Sequence, residues 1–321
     1  MRIVQKFGGS SLANRERLRR AARITLEARR RGQEPILVVS AAGDTTDELI
    51  ELAEAVSPHP PAREMDALLA TGEQRSAALM AITLTALGAP ARSFTGWQAG
   101  LVTEEKHGGA RLHLAAPARL LESLEAGEIP VVAGFQGVAP SGEITTLGRG
   151  GSDTTAVALA AALEAGRCEI YSDVDGVYTA DPRLVPAARL LPRADSRDLL
   201  ALAEGGAQVL HAESLRLAIA ERQRLTLLSS FTGAAGSEVM LLPEPERAPL
   251  VGVTRDESAH SLTLAGPAAP GLADALLTEL LLPSGLAEDG CLVTENAVSF
   301  AIVPGRELEA LRAVHAAVFE G

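Results

Sequence analysis

The segment from Ile144 to Arg183 holds the densest set of chemically useful residues in the chain. A short β-type run leads into the glycine-rich turn GRGGSD, and apolar residues at helical spacing follow Ser152 and Asp153, which we predict to cap the helix. Backbone N–H groups and the helix dipole favour an anion at such a junction, and Arg149 adds a guanidinium suited to a carboxylate or phosphate. The pattern predicts a site that handles a nucleotide or a carboxylate.

A second polar group follows the next predicted strand, EIYSD. The loop DVDGVYTADPR places two acids, an aromatic ring and an arginine close together, namely Asp173, Tyr178, Asp181 and Arg183. Ligands of open α/β sheets bind at the carboxyl ends of the strands, so we expect this loop to line the same site.

Lys6 ends the first predicted strand and is followed at once by the glycine turn Gly8, Gly9 and Ser10. The spacing is not that of a Walker loop, which needs two glycines at fixed positions before Lys-Ser/Thr. A surface lysine before an ordinary loop is the alternative interpretation, and it explains the residues equally well when they are taken alone.

Three further polar residues lie in loops or breaks of the predicted elements. Ser40 and Thr46 flank a second glycine turn, where isolated hydroxyls are more often turn formers than ligands. Glu73 lies in TGEQ, which we predict to interrupt a helix, and a lone glutamate there is usually solvated. Asp153 could likewise serve only as a helix cap.

Composition narrows the class of protein. The chain has 321 residues, of which 47% are hydrophobic, and 29 basic against 41 acidic residues give a net charge of −12. This balance argues against nucleic acid or an anionic membrane as a partner. We expect the two cysteines, Cys168 and Cys291, to be buried thiols in a cytoplasmic protein, and we find no spacing typical of a metal site.

Strand and helix patterns alternate along the chain, which predicts a largely parallel α/β sheet with helices on both faces. The predicted strands are 2–7, 34–40, 129–134, EIYSD and 225–229, with a short β-type run at 144–147, and the predicted helices are 14–31, 47–56 and 64–87. Residues 232–249 are rich in Gly, Ser, Pro and Glu, so we predict a domain boundary after residue 247. Residues 248–321 then read as a small α+β domain: strand 251–264, helix 271–282, strands 291–294 and 297–303, and helix 307–319.

The strings KFGGS, VVSAAGDTTDELI, TGEQ, FTGWQ, VVAGFQG, ITTLGRGGSDTT, YSDVDGVYTADPR and GAQVLH occur in an order that strongly resembles the aspartate kinases. The resemblance covers about Met1 to Val239 and implies the amino-acid-kinase fold with a C-terminal ACT-like region. It implies ATP-dependent phosphorylation of the β-carboxylate of L-aspartate to 4-phospho-L-aspartate, the entry step to threonine, methionine and lysine (diaminopimelate). ATP with Mg²⁺ held mainly through the nucleotide is the implied cofactor.

The resemblance also assigns roles. Lys6 corresponds to the lysine that stabilises the transferring phosphoryl group, and Asp153 to the acid that orients it. The substrate positions implied are Ser40, Thr46, Glu73, Phe135, Arg149 and Ser152. The ATP positions implied are Lys6, Gly8, Gly9, Ser10, Ser172, Asp173, Tyr178, Asp181, Arg183 and Gln208.

Two features depart from the family pattern. The family string GAKVLH reads GAQVLH, so the neutral Gln208 stands where a lysine is expected near the nucleotide. Leu250 to Gly321 has room for one ACT module where aspartokinases usually carry two, so we expect weak or absent inhibition by lysine and threonine. We also expect this region to form a homodimer through strand edges and a helix bearing Leu272, Ala275, Leu276 and Leu280.

Two other functions stay open at this point. One is a different acyl-phosphate kinase, such as one acting on acetylglutamate, whose blocked amine would not need an acid at Glu73. The other is a catalytically weak, amino-acid-binding regulatory subunit of a full-length kinase.

Overall fold

The computed structural model describes residues 1–232 and 236–320. The strands in this part of the chain are β1 (Arg2–Phe7), β2 (Glu34–Val39), β3 (Ala91–Phe94), β4 (Leu101–Thr103), β5 (Leu112–Ala115), β6 (Ile129–Ala133), β7 (Gln136–Val138), β8 (Ile144–Thr146), β9 (Arg167–Ser172), β10 (Val177–Tyr178), β11 (Leu190–Leu191), β12 (Arg193–Asp195), β13 (Leu225–Ser229), β14 (Ser237–Met240), β15 (Gly252–Asp256), β16 (Ser261–Ala265), β17 (Ala287–Val293) and β18 (Ala297–Ile302). The α-helices are α1 (Arg15–Arg30), α2 (Thr45–Val56), α3 (Ala62–Ala86), α4 (Ala118–Glu125), α5 (Gly151–Ala162), α6 (Ser196–Glu204), α7 (Ala212–Ala220), α8 (Ala273–Ala275), which continues as the π-helical turn Leu276–Leu281, and α9 (Glu307–Phe319).

The described residues form two compact units. The first unit comprises Met1–Val174 and the described part of Gln223–Ala234, and the second comprises Asp175–Arg222 and the described part of Ala235–Gly321. The predicted domain boundary after residue 247 does not coincide with this division, and it stays a prediction. No helix of the described residues is long and apolar enough to cross a membrane.

The first unit contains six parallel strands of the main sheet, in the order β13-β9-β1-β2-β6-β3. Its central strand β1 places Lys6 beside Val38 of β2 and Ile170 of β9. The predicted parallel α/β sheet is therefore confirmed, and the strands predicted at 2–7, 34–40, 129–134 and 225–229 are all present.

Helices cover both faces of this sheet. One face presents Phe7, Leu37 and Val39 to α1 and α3, and these residues are fully buried. Side chains alternate along a strand, so Lys6 points to the opposite face, where it meets α5. This alternation places a charged lysine in an otherwise apolar layer, with a helix terminus beside it.

A small second sheet of the first unit has the order β5-β4-β7-β8. The strand before the glycine-rich turn, β8, belongs to this sheet and pairs antiparallel with β7. The prediction of 144–147 as a strand is confirmed, and the structure places this strand outside the main parallel sheet, an assignment that the sequence did not make. Strands of three or four residues carry too little periodicity to reveal which sheet they join.

The C-terminal part of the second unit is a four-stranded antiparallel sheet in the order β15-β16-β18-β17, which confirms the small α+β region. The strand predicted at 251–264 is in fact the hairpin of β15 and β16. Leu276 belongs to the core of this region and Leu272 and Leu280 pack against it, whereas Ala275 is exposed, so the region's own core covers most of the helix face that we expected to need an external cover. Cys168 is buried as predicted, whereas Cys291 on β17 is exposed, which corrects that prediction.

The turn-rich segment that starts at β10 is anchored within the second unit. Thr179 Oγ1 lies 2.9 Å from Nε2 of His315, a fully buried residue of α9. The amide of Val253 on β15 donates to the carbonyl of Thr179 at 2.8 Å. The loop that carries Tyr178, Asp181 and Arg183 is thus held by the C-terminal sheet and its last helix.

A buried ion pair also connects residues near the predicted domain boundary after residue 247. Arg247 donates to Asp198 Oδ1 of α6 at 2.5 Å and to Asn296 Oδ1 at 2.7 Å, and the Arg247 and Asp198 side chains are 4% and 0% exposed. Residues 237–240, which we predicted to be part of a linker, instead form β14, which pairs with β12 in parallel.

Replacing Arg247 by methionine should destabilise the protein by about 3–5 kcal/mol, because the buried Asp198 carboxylate loses its partner. The matched control Arg193→Met breaks an exposed pair with Glu246, whose side chains are 50% and 49% exposed, and should cost less than about 1 kcal/mol. Thermal unfolding of the two variants measures the difference. Equal shifts in Tm would contradict a structural role for the buried pair.

Candidate active site

The loops that follow β1, β2 and β6 meet at the carboxyl edge of the parallel sheet. The backbone pairing continues past the strand ends, because Ser40 donates to the carbonyl of Phe7 at 3.1 Å and Gly134 to that of Val39 at 3.0 Å. Backbone hydrogen bonds therefore hold the residues just beyond these strands, and the clustering of all the predicted site residues at this edge stays a prediction.

Lys6 and Asp153 form an ion pair in the first unit. Lys6 Nζ lies 2.6 Å from Asp153 Oδ1, and the two side chains are 12% and 8% exposed. Asp153 lies in the first turn of α5, where the helix dipole favours a negative charge. A buried lysine fixed in this way can present positive charge to a phosphoryl group without reorganisation.

The glycine turn after β1 lies beside this pair. A Cβ built on Gly8 would lie 3.6 Å from Lys6 Nζ, which is ordinary van der Waals contact, so the turn runs directly beside the amine. The amide of Gly43 donates to the carbonyl of Gly9 at 3.0 Å, and Arg17 of α1 donates to the carbonyl of Ser10 at 2.9 Å. The turn is thus held from both sides and presents backbone to the lysine.

Glu73 lies in the middle of α3, where the predicted break at TGEQ does not exist. Gly72 explains the motif, because a Cβ there would come within 3.0 Å of the Ala41 Cβ, so glycine brings the helix close to the loop after β2. Glu73 Oε1 accepts from the amide of Ala41 at 2.9 Å.

The second oxygen of Glu73, Oε2, is buried without a hydrogen-bond partner among the described residues. The residue is only 4% exposed, and this burial raises the pKa of Glu73 to about 7. The expectation of a solvated acid was wrong. An acid held with one free, desolvated oxygen is suited to a cationic ligand group.

The glycine-rich turn before α5 is shaped by its backbone. Gly150 is the N-cap, in the left-handed conformation with φ of 71°, so Ser152 and Asp153 lie inside the first turn of the helix and do not cap it. Arg149 is exposed and has no ion pair or hydrogen bond in the described part of the chain. Its guanidinium is therefore available to an external anion.

Phe135 and Ser152 line the same turn. Phe135 is in the left-handed region with φ of 67°, an uncommon conformation for a bulky residue, and its amide donates to Thr155 Oγ1 at 3.2 Å. Cβ positions built on Gly134 and Gly151 would collide with Ser152 and Phe135, respectively, so these residues are closely packed. Such backbone strain concentrates at ligand sites.

Ser40 and Thr46 lie on either side of the loop after β2, which Glu73 contacts through the amide of Ala41. Both are half-buried, and Thr46 lies in the first turn of α2, which begins two residues earlier than predicted. Arg75 of α3 contacts Thr45 rather than Thr46, with a distance of 2.5 Å to Thr45 Oγ1. Thr46 is therefore not used to hold this helix in place.

The predicted ATP residues divide between the two units. Ser172 ends β9 in the first unit, where it accepts from the amide of Val174 at 3.3 Å, and Asp173 beside it is exposed. In the second unit, Arg183 binds Asp181 at 2.7 Å, and this hydrogen bond lowers the pKa of Asp181. Tyr178 pairs with Leu190 through β10, and Gln208 is exposed.

The sequence analysis did not identify Asp66, a buried acid that hydrogen-bonds to segments beside the site. Asp66 is 1% exposed and accepts hydrogen bonds from Thr146, His107 and Gly108. Asp66 and Glu73 are seven residues apart on one helix, and this spacing was the available signal, since it puts both acids on one face. Among the described residues, no group of three or more His, Cys, Asp or Glu side chains could hold a metal ion.

The fold and the geometry agree with the comparisons. The model of the amino acid kinase family matches residues 1–229. The aspartokinase of Corynebacterium glutamicum is 51% identical over 268 residues, which are 82% of this chain and 64% of that protein. The aspartokinase of Thermus thermophilus is 45% identical over 288 residues, which are 89% of this chain and 71% of that protein.

A solved structure shows the same similarity. Escherichia coli aspartokinase III in complex with lysine and aspartate superposes with a TM-score of 0.71 at 25% identity, covering 98% of this chain and 83% of that one. The family model matches residues 1–229, which carry the parallel sheet and the lysine–aspartate pair beside a glycine turn, so the chain belongs to the amino acid kinase family. Within that family, the chain belongs to the aspartokinases. It spans just under two thirds of the length of the Corynebacterium relative, at 64%.

The substitution Glu73→Gln should stabilise the protein in a pH-dependent way. The folded-state pKa of about 7 lies above the ordinary value of 4.5. The free energy of unfolding of the wild-type protein therefore falls progressively as pH rises from 4.5 to 7. The free energy of unfolding of the variant does not fall in this way, and above pH 7 it should exceed that of the wild type by about 3 kcal/mol. Unfolding measured from pH 4 to 8 tests this, with exposed Glu64→Gln on the same helix as the control; a flat difference would contradict it.

Proposed function

We propose that this chain is an ATP-dependent aspartate kinase that transfers the γ-phosphoryl group of ATP to the β-carboxylate of L-aspartate. The products are 4-phospho-L-aspartate and ADP, and the reaction is the entry step to threonine, methionine and lysine biosynthesis. The observation that carries the proposal is Glu73, a buried acid with one unpartnered oxygen beside the loop that contacts the glycine turn. A phosphoryl-acceptor substrate with a free ammonium group explains that acid.

The substrate groups match the charges of the first unit. Glu73 binds the ammonium group, and Arg149 with the first turn of α5 binds the α-carboxylate, because guanidinium and helix N-terminus both favour an anion. Phe135 and Ser152 shape the same turn, and Ser40 and Thr46 lie at the loop after β2. An acetylglutamate kinase would leave the buried acid without a partner, so the geometry favours aspartate over that alternative.

The chemistry follows from these positions. The β-carboxylate is already an anion, so it attacks the γ-phosphorus without a general base; the new O–P bond forms as the bond to the bridging oxygen of ADP breaks. Lys6 stabilises the charge on the transferring oxygens, and Asp153 holds Lys6 in place. The amides of Gly9 and Ser10 add donors for the phosphates, whereas the amide of Gly8 donates to the carbonyl of Tyr171 at 3.1 Å and fixes the start of the turn.

ATP and Mg²⁺ complete the proposal. Ser172 and Asp173, with Tyr178, Asp181, Arg183 and Gln208, are the proposed nucleotide residues. Mg²⁺ usually keeps several waters and binds one or two carboxylates together with substrate phosphates, so it fits as a partner of the nucleotide. When bound, it would neutralise charge on the β- and γ-phosphates.

Residues 248–321 are the proposed ACT-like domain, and a cytoplasmic homodimer is the proposed assembly. The support is the edge strand β17, where Leu292 and Val293 are 67% and 48% exposed. An exposed apolar edge strand is a template for pairing with another strand. Light scattering coupled to size exclusion tests this, and a monomer at working concentrations would contradict it.

The function itself is tested by trapping the product. The purified chain is incubated with ATP, Mg²⁺, hydroxylamine and either L-aspartate or N-acetylglutamate, and hydroxamate is measured. Aspartyl hydroxamate with none from acetylglutamate is the expected result. Aspartate binding without turnover would instead support a regulatory subunit.

The variant Lys6→Met should lose about 10²–10³-fold in kcat, the effect of removing one preorganised charge-stabilising donor. It should also lose stability, because Asp153 is left buried and unpaired. The double variant Lys6→Met with Asp153→Asn restores the Tm without restoring kcat. Recovery of turnover in the double variant would show that the lysine only neutralises Asp153.

The KM for aspartate should fall as pH rises from 6 to 8. Glu73 with a pKa of about 7 loses its proton over this interval, while the substrate ammonium stays charged, so the charge-assisted bond forms only at the higher pH. Glu73→Gln should show a higher KM for aspartate that does not change with pH, and the KM for ATP should be unaffected. The same slope in wild type and variant would assign the titration to another group.

A further inference from the structure

Asp66 is a buried acid of the first unit with three polar partners, and it lies outside the groups already assigned to substrate or phosphate. It lies on α3, is 1% exposed, and accepts from Thr146 Oγ1 at 2.5 Å. It also accepts from the amide of Gly108 at 3.2 Å and contacts His107 Nδ1 at 2.9 Å. One buried carboxylate thus binds two separate stretches of chain.

Those two stretches are the loop 104–110 and the turn that carries Arg149. Thr146 is the last residue of β8 and directly precedes the turn, and its carbonyl accepts from the amide of Ala110 at 2.7 Å. The backbones touch further along, because a Cβ built on Gly148 would lie 3.5 Å from Gly109 Cα. The loop 104–110 is therefore laid against the turn and held there by Asp66.

Helix α3 connects this arrangement to the amine-binding acid. Asp66 and Glu73 are two helical turns apart on the same face, which is roughly 10 Å along the axis. The helix is continuous from Ala62 to Ala86, so this spacing is rigid. One end of the rigid segment contacts the loop after β2 through Glu73, and the other contacts the Arg149 turn through Thr146.

We propose that Asp66 is a positioning residue that sets the Arg149 turn at a fixed separation from Glu73 and thereby determines selectivity for the α-amino and α-carboxylate groups of aspartate. The inference rests on the proposed function, since it takes Glu73 and Arg149 as the ligands of those groups. Asp66 touches no substrate atom and acts through Thr146 and Gly108. Its loss should therefore weaken aspartate binding and leave the nucleotide unaffected.

The sharpest test compares Thr146→Val with Thr146→Ser. Valine has the shape of threonine without the donor, and serine keeps the donor, so the pair isolates the hydrogen bond to Asp66. Thr146→Val removes the hydrogen bond from Thr146 to the Asp66 carboxylate, which positions the turn that carries Arg149. The KM for aspartate should therefore rise about 10-fold or more, and the KM for ATP should stay within about 2-fold of wild type. Thr146→Ser should stay close to wild type.

Asp66→Asn provides the second measurement. Asparagine has a single acceptor oxygen, which cannot serve Thr146, Gly108 and His107 together, and the KM for aspartate should rise about 10- to 100-fold. Exposed Glu64→Gln on the same helix makes the same chemical change and should alter neither KM. Calorimetry with aspartate alone should show the same loss of affinity.

The outcomes separate the inference from the proposed function. A wild-type chain that forms no aspartyl hydroxamate defeats the proposed function, whatever the variants do. With an active wild type, Thr146→Val with a lowered Tm and unchanged KM for aspartate would overturn the positioning role. Equal increases in both KM values would overturn it as well. If Asp66→Asn does not fold, the Thr146 pair decides alone.

Discussion

The buried ion pair between Lys6 and Asp153 is the interaction on which the site depends. It joins the central strand of the parallel sheet to the first turn of α5, and both side chains are almost completely removed from solvent. Neither partner is tolerable alone at that depth, because an isolated buried charge costs far more than a paired one. The pair therefore constrains the strand and the helix together, and it leaves the lysine amine beside Gly8 of the glycine turn.

Helix α3 adds the opposite kind of charge at a cost in stability. Glu73 is buried with one oxygen unpartnered, and burial raises its pKa to about 7. A solvent-exposed acid would destabilise the fold less, but it would bind an ammonium group weakly, since exposed ion pairs contribute little binding free energy. Retaining a desolvated acid beside the loop after β2 is understandable if a ligand supplies the missing cation.

The second unit joins the predicted nucleotide loop to the C-terminal sheet. Thr179 bonds to the buried His315, and the core of the C-terminal region includes Ala180 and Val185 of the same loop. A residue boundary drawn from composition could not show this, because residues 175–222 pack with residues far along the chain, such as Thr179 with His315 at a separation of 136 positions. Contacts over such separations leave no local pattern in the sequence.

The sequence by itself determined the parallel α/β class, most of the long elements and the residue types of the site. Hydrophobic periodicity sufficed for β1, β2, α1 and α9, and the glycine turns with Lys6, Arg149 and Asp153 indicated an anion site. Tertiary structure decided the rest. Only packing shows that TGEQ continues a helix, because Gly72 is required for close approach to Ala41 and not for a break. Likewise, only the fold brings Asp66 to Thr146, since eighty positions of chain separate a carboxylate and a hydroxyl that are each unremarkable in their local sequence.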